Sequence, residues 1–498
     1  MIVRRWLGLL GAAFLLVACP AQAQGAGAAQ TFAHMSDAEV VRRVNAMVAR
    51  LRVRPEFVGL SIAVARGDHV IVDRGYGMAD LEWRQPATAA TPFRIGSLTK
   101  QFTAAAILKL QEQRKLRTSD HVSKFLPDYP NGARITIAQL LTHTSGIPNY
   151  TETPGFLDTV NRPITLSELV RLFQDEPLDF TPGAEVHYSN SNYVLLARII
   201  EQVSGTSYPD FLRRVILKPL GLRQTDIATA PEGHPNEAHG YQFNGPEFLP
   251  ALPWDMSRGM GALSLASSVD DLFRWTEALF QHRVISKASL DAALTPPKFA
   301  NEDFEGGYGY GLIRSVWRGT PAIQHGGIVH GFNSYLLRLP RQNFTVVILS
   351  NSLPSAPGID PAKLAHLVAT FYLGGELPRR TWPEPRLDIP AATLDTLTGR
   401  YLFRPLPMTI SPGPGSSLYV QFAAEPPVEI FASSATDFYS PRADLRIRFM
   451  KDPTGVVTKA VLYQDGSRQE GKHIERGPPR ESENGLQLER FQVHQVVR

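Results

Sequence analysis

Three short runs carry residue types that can do chemistry together. Ser97-Leu98-Thr99-Lys100 sets a hydroxyl and an amine three residues apart. That is nearly one helical turn, so on a helix both side chains project from one face. A serine hydroxyl is a weak nucleophile until a neighbouring base takes its proton. Lys100 can be that base, or tune it, if confinement strips its ammonium of a proton. A helix start adds free backbone N–H groups that favour negative charge near Ser97. Tyr188-Ser189-Asn190 follows Thr181-Pro182-Gly183 and precedes a helical stretch. A phenol can relay a proton when a cation such as Lys100 lies beside it, and the Asn190 amide can both donate and accept, toward a substrate amide and toward Lys100. His325-Gly326-Gly327 closes a predicted strand. Its glycines let a substrate lie along the backbone as an added strand. The following N–H, from Ile328, can pair with the Ser97 N–H as an oxyanion hole.

Each run alone has a plain structural use. Ser97 can sit near a helix cap with Lys100 in solvent, and Tyr188 can pack on the core while Asn190 or Ser191 caps the next helix. His325 can stand in a β-turn. The pattern of the surrounding chain shows what positions the three runs.

Ser36 and Glu39 have capping-box spacing, and Val40, Val44, Met47, Val48 and Leu51 make one stripe, which predicts a helix from Ser36 to Leu51. Strands are predicted at Val58 to Ala65 and Val70 to Gly75, joined by an Arg66-Gly67-Asp68 turn. The Ser97 helix is expected to bury a face with Phe102, Ala105, Ile107, Leu108 and Leu110. Residues 119 to 290 read as mostly helix and loop, with helices at Ile137 to Thr142, Leu166 to Gln174 and Asn192 to Val203. Strands return at Tyr308 to Val316, Ala322 to His325, Phe332 to Leu339 and Phe344 to Ser350, and a helix follows at Pro361 to Leu373. Strands, a helical insertion and strands again describe an α+β fold, an antiparallel sheet flanked by helices with an inserted helical lobe.

Gly374 to Pro385 reads as a linker, followed by short strands at Met408 to Ile410, Leu418 to Phe422, Val428 to Phe431, Leu445 to Phe449 and Val456 to Tyr463. Regular short strands between turns such as Pro412-Gly413-Pro414-Gly415 predict a small C-terminal all-β, barrel-like domain. The expected division is a signal peptide at 1–23, a larger α+β domain at 36–375, a linker at 376–385, the β-domain at 386–475 and a loosely ordered tail at 476–498.

Arg4 and Arg5 precede an apolar run from Trp6 to Ala18, and Ala21-Gln22-Ala23 offers a cleavage site. The run is too short for a comfortable membrane span. Leu16-Val17-Ala18-Cys19 also resembles a lipobox, which would make Cys19 a lipid anchor. Both routes export the chain, to the periplasm in a two-membrane cell. Cys19 is the only cysteine among 498 residues, so no disulfide is expected in the mature protein. An apolar fraction of 43% and a charged fraction of 20% are those of ordinary folded protein. A net charge of +4 without a basic block argues against a nucleic-acid partner. There is no Gly-x-Ser-x-Gly elbow, no His-Glu-x-x-His and no phosphate-cradling loop, so neither a metal nor another cofactor is expected.

Taken in order, Ser-x-x-Lys, Tyr-x-Asn and His-x-Gly resemble the three motifs of the penicillin-recognising serine hydrolases. That superfamily holds class C β-lactamases, D-alanyl-D-alanine carboxypeptidases, D-aminopeptidases and family VIII esterases. Leu140-Leu141-Thr142-His143-Thr144-Ser145-Gly146-Ile147-Pro148, Tyr188 to Tyr193, Pro219 to Leu222 and Tyr308-Gly309-Tyr310-Gly311 extend the resemblance over roughly residues 36 to 375. It implies a β-lactamase-like fold with Ser97 as nucleophile, Lys100 as its proton partner, and Tyr188 as base for acylation and acid for the leaving group. Asn190 would contact substrate and Lys100. His325, Gly326, Gly327 and Ile328 would form the third motif, with the oxyanion hole at the Ser97 and Ile328 N–H groups. His143 reads as structural. The class C β-lactamases carry lysine where this chain has His325, a weaker anchor for a substrate carboxylate at neutral pH. The expectation is therefore an exported serine hydrolase that forms an acyl-enzyme with a small-molecule or peptide substrate, a D-amino-acid peptide or a short ester. A β-lactamase and a cell-envelope penicillin-binding or sensor protein with little turnover are the alternatives.

Overall fold

The computed structural model describes residues 35–54, 57–228, 236–243, 247–298, 306–353, 360–373, 387–403, 406–422, 427–440, 445–464 and 467–476. The expected leader with Cys19, the linker at 376–385 and the tail beyond Arg476 lie outside them.

An eight-stranded antiparallel sheet organises the first part of the chain. Its strands are β1 (Gly59–Arg66), β2 (His69–Asp80), β3 (Gln85–Pro86), β4 (Gly307–Tyr308), β5 (Ile313–Trp317), β6 (Thr320–Val329), β7 (Phe332–Leu339) and β8 (Phe344–Ser350). They stand in the order β3-β2-β1-β8-β7-β6-β5-β4. The chain therefore leaves the sheet after β3 and returns at β4, as the strand–helix–strand order predicted.

Period-two alternation gives the sheet two buried faces. Leu60, Ile62 and Val64 on β1, and Phe344, Val346 and Ile348 on β8, pack with α1 (Asp37–Arg52) and the terminal helix Pro361–Leu373. Ala63, Val347 and Leu349 point the other way, into the core of the helical lobe. The Ser36 hydroxyl caps α1 by accepting the Glu39 N–H.

The lobe is centred on α2 (Thr99–Glu112), which is buried on nearly every side, with Phe102 stacked on Trp275 at 4.1 Å. The single buried face expected for this helix is thus too narrow. α2 has the lobe around it, and Lys100, Gln101 and Thr103 are buried with the apolar residues. Beside it lies α3 (Asn190–Ser204), ended by Gly205 at φ 68°.

Three sequence-based boundaries need correction. Tyr308 to Val316 is not one strand, because Gly311 turns the chain at φ 71° between β4 and β5. His325-Gly326-Gly327 does not end a strand, because β6 runs on to Val329 and pairs with β7 through Val329↔Phe332. The stretch 119–290 also holds short strands, such as Leu265–Ser267, which joins Phe93–Arg94 just before the Ser97 turn.

The C-terminal region is a closed eight-stranded barrel from Gly399 to Arg476, with its first strand paired to its last. Strands at Gly399–Phe403, Asp437–Ser440 and Ser467–Arg476 had not been anticipated. Gly399–Phe403 and Asp437–Ser440 are short, and Ser467–Arg476 is mostly polar. The barrel interior, including Tyr401, Met408, Ile430, Phe438 and Ile447, forms a core of its own. That separation predicts that a chain ending near Gly375 stays soluble and cooperatively folded. Expression of the truncated chain and its thermal unfolding test this, and complete loss of folding would mean a shared core.

Candidate active site

Ser97 sits in a 3-10 turn, Gly96–Leu98, that leads into α2. Two glycines let β6 lie directly against this turn. Gly96 has φ 51°, and a Cβ there would come 2.8 Å from the Ile328 nitrogen. A Cβ on Gly327 would come 2.0 Å from the Ile95 carbonyl oxygen. Neither position accepts a larger residue without moving the two backbones apart. Ser334 Oγ adds a bond to the Ile95 carbonyl at 2.8 Å. The Ile328 backbone is thus next to the Ser97 turn, while its side chain is 63% exposed.

The other partners arrive from distant segments. Lys100 Nζ lies 3.0 Å from Ser97 Oγ, 2.7 Å from Asn190 Oδ1 and 3.0 Å from the Ala262 carbonyl. It also stands 4.7 Å from the Tyr188 ring centroid and 5.5 Å from that of Tyr193. The Tyr188 hydroxyl donates to Ser97 Oγ at 2.8 Å. Ser97, Lys100, Tyr188 and Asn190 therefore meet within hydrogen-bond reach.

Lys100 is fully buried, and burial pushes its amine well below the ordinary lysine range. A neutral amine has two N–H donors and one lone pair. Asn190 Oδ1 and the Ala262 carbonyl take the donors, which leaves the lone pair for the Ser97 hydroxyl proton. Tyr188 is partly exposed to solvent. The protein packed around it raises the phenol, and the Ser97 hydrogen bond opposes the rise only in part. A raised phenol holds its proton more tightly than a free one.

Asn190 lies at the start of α3, whose N-cap Ser189 makes no side-chain capping bond. Its amide nitrogen donates to Thr151 Oγ1 at 3.1 Å while its oxygen faces Lys100. Each end of the amide has one such partner, which leaves one N–H and one oxygen lone pair uncommitted.

His325 is 3% exposed and engaged at both ring nitrogens. Nδ1 is 2.6 Å from the Gly326 carbonyl and Nε2 is 2.9 Å from the Tyr308 hydroxyl. The carbonyl requires the proton on Nδ1, so Tyr308 donates to Nε2. Burial above all pushes the imidazole down to about 4, with the Gly326 carbonyl opposing. His325 is thus a neutral ring behind the cleft surface.

His143 is more than a buried core residue. Its ring lies 4.3 Å from that of Tyr188 and 4.4 Å from that of Tyr308. Its Nδ1 accepts the Ser189 N–H at 3.1 Å, and its carbonyl accepts the His187 N–H at 2.9 Å. It therefore backs Tyr188 and fastens the segment on either side. Sequence reasoning missed this support, the Ala262 carbonyl, Thr151 and the Tyr308 link to His325. The Leu140 to Pro148 block and the Tyr308-Gly309-Tyr310-Gly311 run carried a signal, and neither revealed these contacts.

Comparison with known proteins agrees with this architecture. The beta-lactamase family model matches residues 44–370. The chain belongs to the beta-lactamase family, whose fold serves serine hydrolases. Penicillin-binding protein 4* of Bacillus subtilis (strain 168) is 28% identical over 447 residues, covering 86% of this chain and 98% of that protein. Such a span cannot fit within residues 44–370, so it extends beyond the family match. The octameric penicillin-binding protein homologue from Pyrococcus abyssi superposes with a TM-score of 0.60 at 27% identity, over 86% of this chain and 99% of its own. A D-stereospecific amidohydrolase from Streptomyces sp. is 28% identical with a TM-score of 0.53, over 64% of this chain and 95% of its own.

The neutral His325 predicts a pH effect on stability. Folded, it titrates near 4, against an ordinary value of 6.5. Below 6.5 the unfolded chain binds a proton that the folded chain refuses, so stability present above that pH is lost as pH falls toward 4. By pH 5 the loss from His325 is on the order of 2 kcal/mol. His143 is lowered too and adds in the same direction. Urea unfolding at pH 7 and pH 5 should show a smaller drop for His325→Gln than for wild type, and equal drops would remove His325 from the account.

Proposed function

We propose that this protein is an exported serine hydrolase that forms an acyl-enzyme on Ser97, with an amide of a D-amino acid or a short ester as substrate. The observation that carries this reading is the position of Ser97 Oγ, 3.0 Å from the buried amine of Lys100 and 2.8 Å from the Tyr188 hydroxyl. Lys100 accepts the Ser97 proton as Oγ attacks the substrate carbonyl. The N–H groups of Ser97 and Ile328 stabilise the oxyanion. Tyr188 then protonates the leaving amine or alcohol, and the Lys100 proton restores the phenol. Water releases the acyl group by the reverse sequence. This assigns the acid step to Tyr188 and the base step to Lys100, whereas the family resemblance alone gave Tyr188 both.

The substrate class follows from charge. A neutral, enclosed His325 supplies no permanent cation for a carboxylate beside the scissile bond. That favours amides and esters over β-lactams, and the likeness to a D-stereospecific amidohydrolase supports the amide. Export rests on Arg4, Arg5, the apolar run to Ala18 and the Ala21-Gln22-Ala23 site. Cys19 is the lipid-anchor alternative, and the two routes differ in whether the mature protein partitions into detergent.

Ser97→Ala should abolish acyl-enzyme formation and lower ester turnover by at least about a thousandfold, with little change in thermal stability. The test is a panel of a p-nitrophenyl ester, a D-alanyl-p-nitroanilide and a chromogenic cephalosporin. Cephalosporin turnover matching the ester or anilide would replace this reading with a β-lactamase. An unchanged Ser97→Ala variant would place the nucleophile elsewhere.

A further inference from the structure

We propose that Thr151 and Asn149 are positioning residues that hold the Asn190 amide in the one orientation that turns the Lys100 lone pair toward Ser97. The inference rests on the reading of Ser97 as nucleophile and Lys100 as its proton acceptor.

A chain of hydrogen bonds runs from the surface inward to Lys100. The Asn149 side chain has one amide atom 2.9 Å from the exposed carboxylate of Glu152 and the other 3.0 Å from the backbone N–H of Asn190. A carboxylate only accepts and a backbone N–H only donates. The Asn149 nitrogen therefore faces Glu152, and its oxygen faces Asn190. That oxygen is also 3.0 Å from Thr151 Oγ1, so the threonine must spend its single proton there. Thr151 Oγ1 then has only lone pairs left for its 3.1 Å contact with the Asn190 side chain. Asn190 must present its nitrogen to Thr151 and its oxygen to Lys100. Every donor in the chain points outward, from Lys100 through Asn190, Thr151 and Asn149 to Glu152.

The consequence lies at the amine. With Asn190 Oδ1 and the Ala262 carbonyl both accepting, a neutral Lys100 has its lone pair left over for Ser97. If the Asn190 amide turned over, its N–H would claim that lone pair and compete with Ser97. A donor facing the amine also disfavours the ammonium form. Tyr188 and Tyr193 face Lys100 with their rings, and His143 and His325 lie near it. Both histidines are pushed down by burial, so neither gains charge near neutral pH.

The test is the rate of Ser97 labelling by a fluorophosphonate, measured against pH on the full chain. This probe needs no knowledge of the natural substrate. Thr151→Val keeps the shape and removes the hydroxyl. It should lower the plateau by about ten- to a hundredfold and move the acid limb down by about 0.5 to 1 pH unit. Thr151→Ser should restore both. Asn149→Leu, which removes the acceptor, should reproduce the Thr151→Val profile and asks the same question if Thr151→Val proves insoluble. A Thr151→Val or Asn149→Leu profile that superimposes on wild type overturns the relay. So does a lowered plateau with an unmoved limb that Thr151→Ser fails to rescue, because that is the behaviour of a structural defect. Failure of the wild-type chain to label at Ser97 would instead overturn the nucleophile assignment.

Discussion

The constraint on which the site depends is a lysine buried beneath a serine. Lys100 has no exposed surface, and burial is the dominant influence on its amine. An isolated ammonium in such a place costs several kcal/mol, and a neutral amine avoids most of that cost. What remains is to satisfy two N–H groups and a lone pair. The acceptors come from residue 190 on α3 and residue 262 in the turn before Leu265–Ser267, and the lone pair meets residue 97. Segments more than 160 residues apart must therefore converge on one nitrogen. The lobe around α2 brings them together. Thr103 Oγ1 holds the Gly261 carbonyl at 2.6 Å, and Tyr193 stands beside Lys100.

The sheet supplies the opposite wall by close approach rather than by side chains. Gly96 and Gly327 remove the two Cβ atoms that would separate the nucleophile turn from β6. Gly96 also holds a left-handed backbone that other residues adopt at a cost. The same strand carries His325, so the register of β6 on β7 fixes the third motif relative to Ser97. A one-residue slip would turn His325 to the other face and carry Ile328 away from the turn.

The fold was legible where one physical rule dominated locally. The α1 stripe from Val40 to Leu51 and the helix Pro361–Leu373 reflect burial of one helix face against the sheet, and the apolar runs of β1 and β8 reflect burial on both faces of it. The ordered motifs named Ser97, Lys100, Tyr188 and Asn190, and the structure brings these side chains together. The rest depended on partners that no local pattern reveals. The Ala262 carbonyl is a backbone group, so its residue type carries no signal. Thr151 and Asn149 look like loop residues, and their importance lies in which atom faces which. His143 was visible inside a recognisable block, yet its contact with Tyr188 comes from packing between segments. The β6 boundary was missed because two glycines read as a turn, while here they allow close packing within a strand.

The charge pattern of the site has one direction. Burial presses the amine of Lys100 and the imidazoles of His143 and His325 toward their neutral forms, and raises the phenols of Tyr188, Tyr193 and Tyr308. A resting site made of neutral groups has little fixed charge with which to hold an ionic substrate. It can still respond strongly to charge that appears during reaction, because interactions are stronger where water is excluded. In the proposed mechanism, moving the Ser97 proton to Lys100 creates an ammonium beside the developing oxyanion. Attraction between the two then exists in the transition state and is absent before it. Binding of that kind raises the chemical rate rather than ground-state affinity. On the proposed reading, selection among substrates is left to the shape of the cleft and to the backbone along β6.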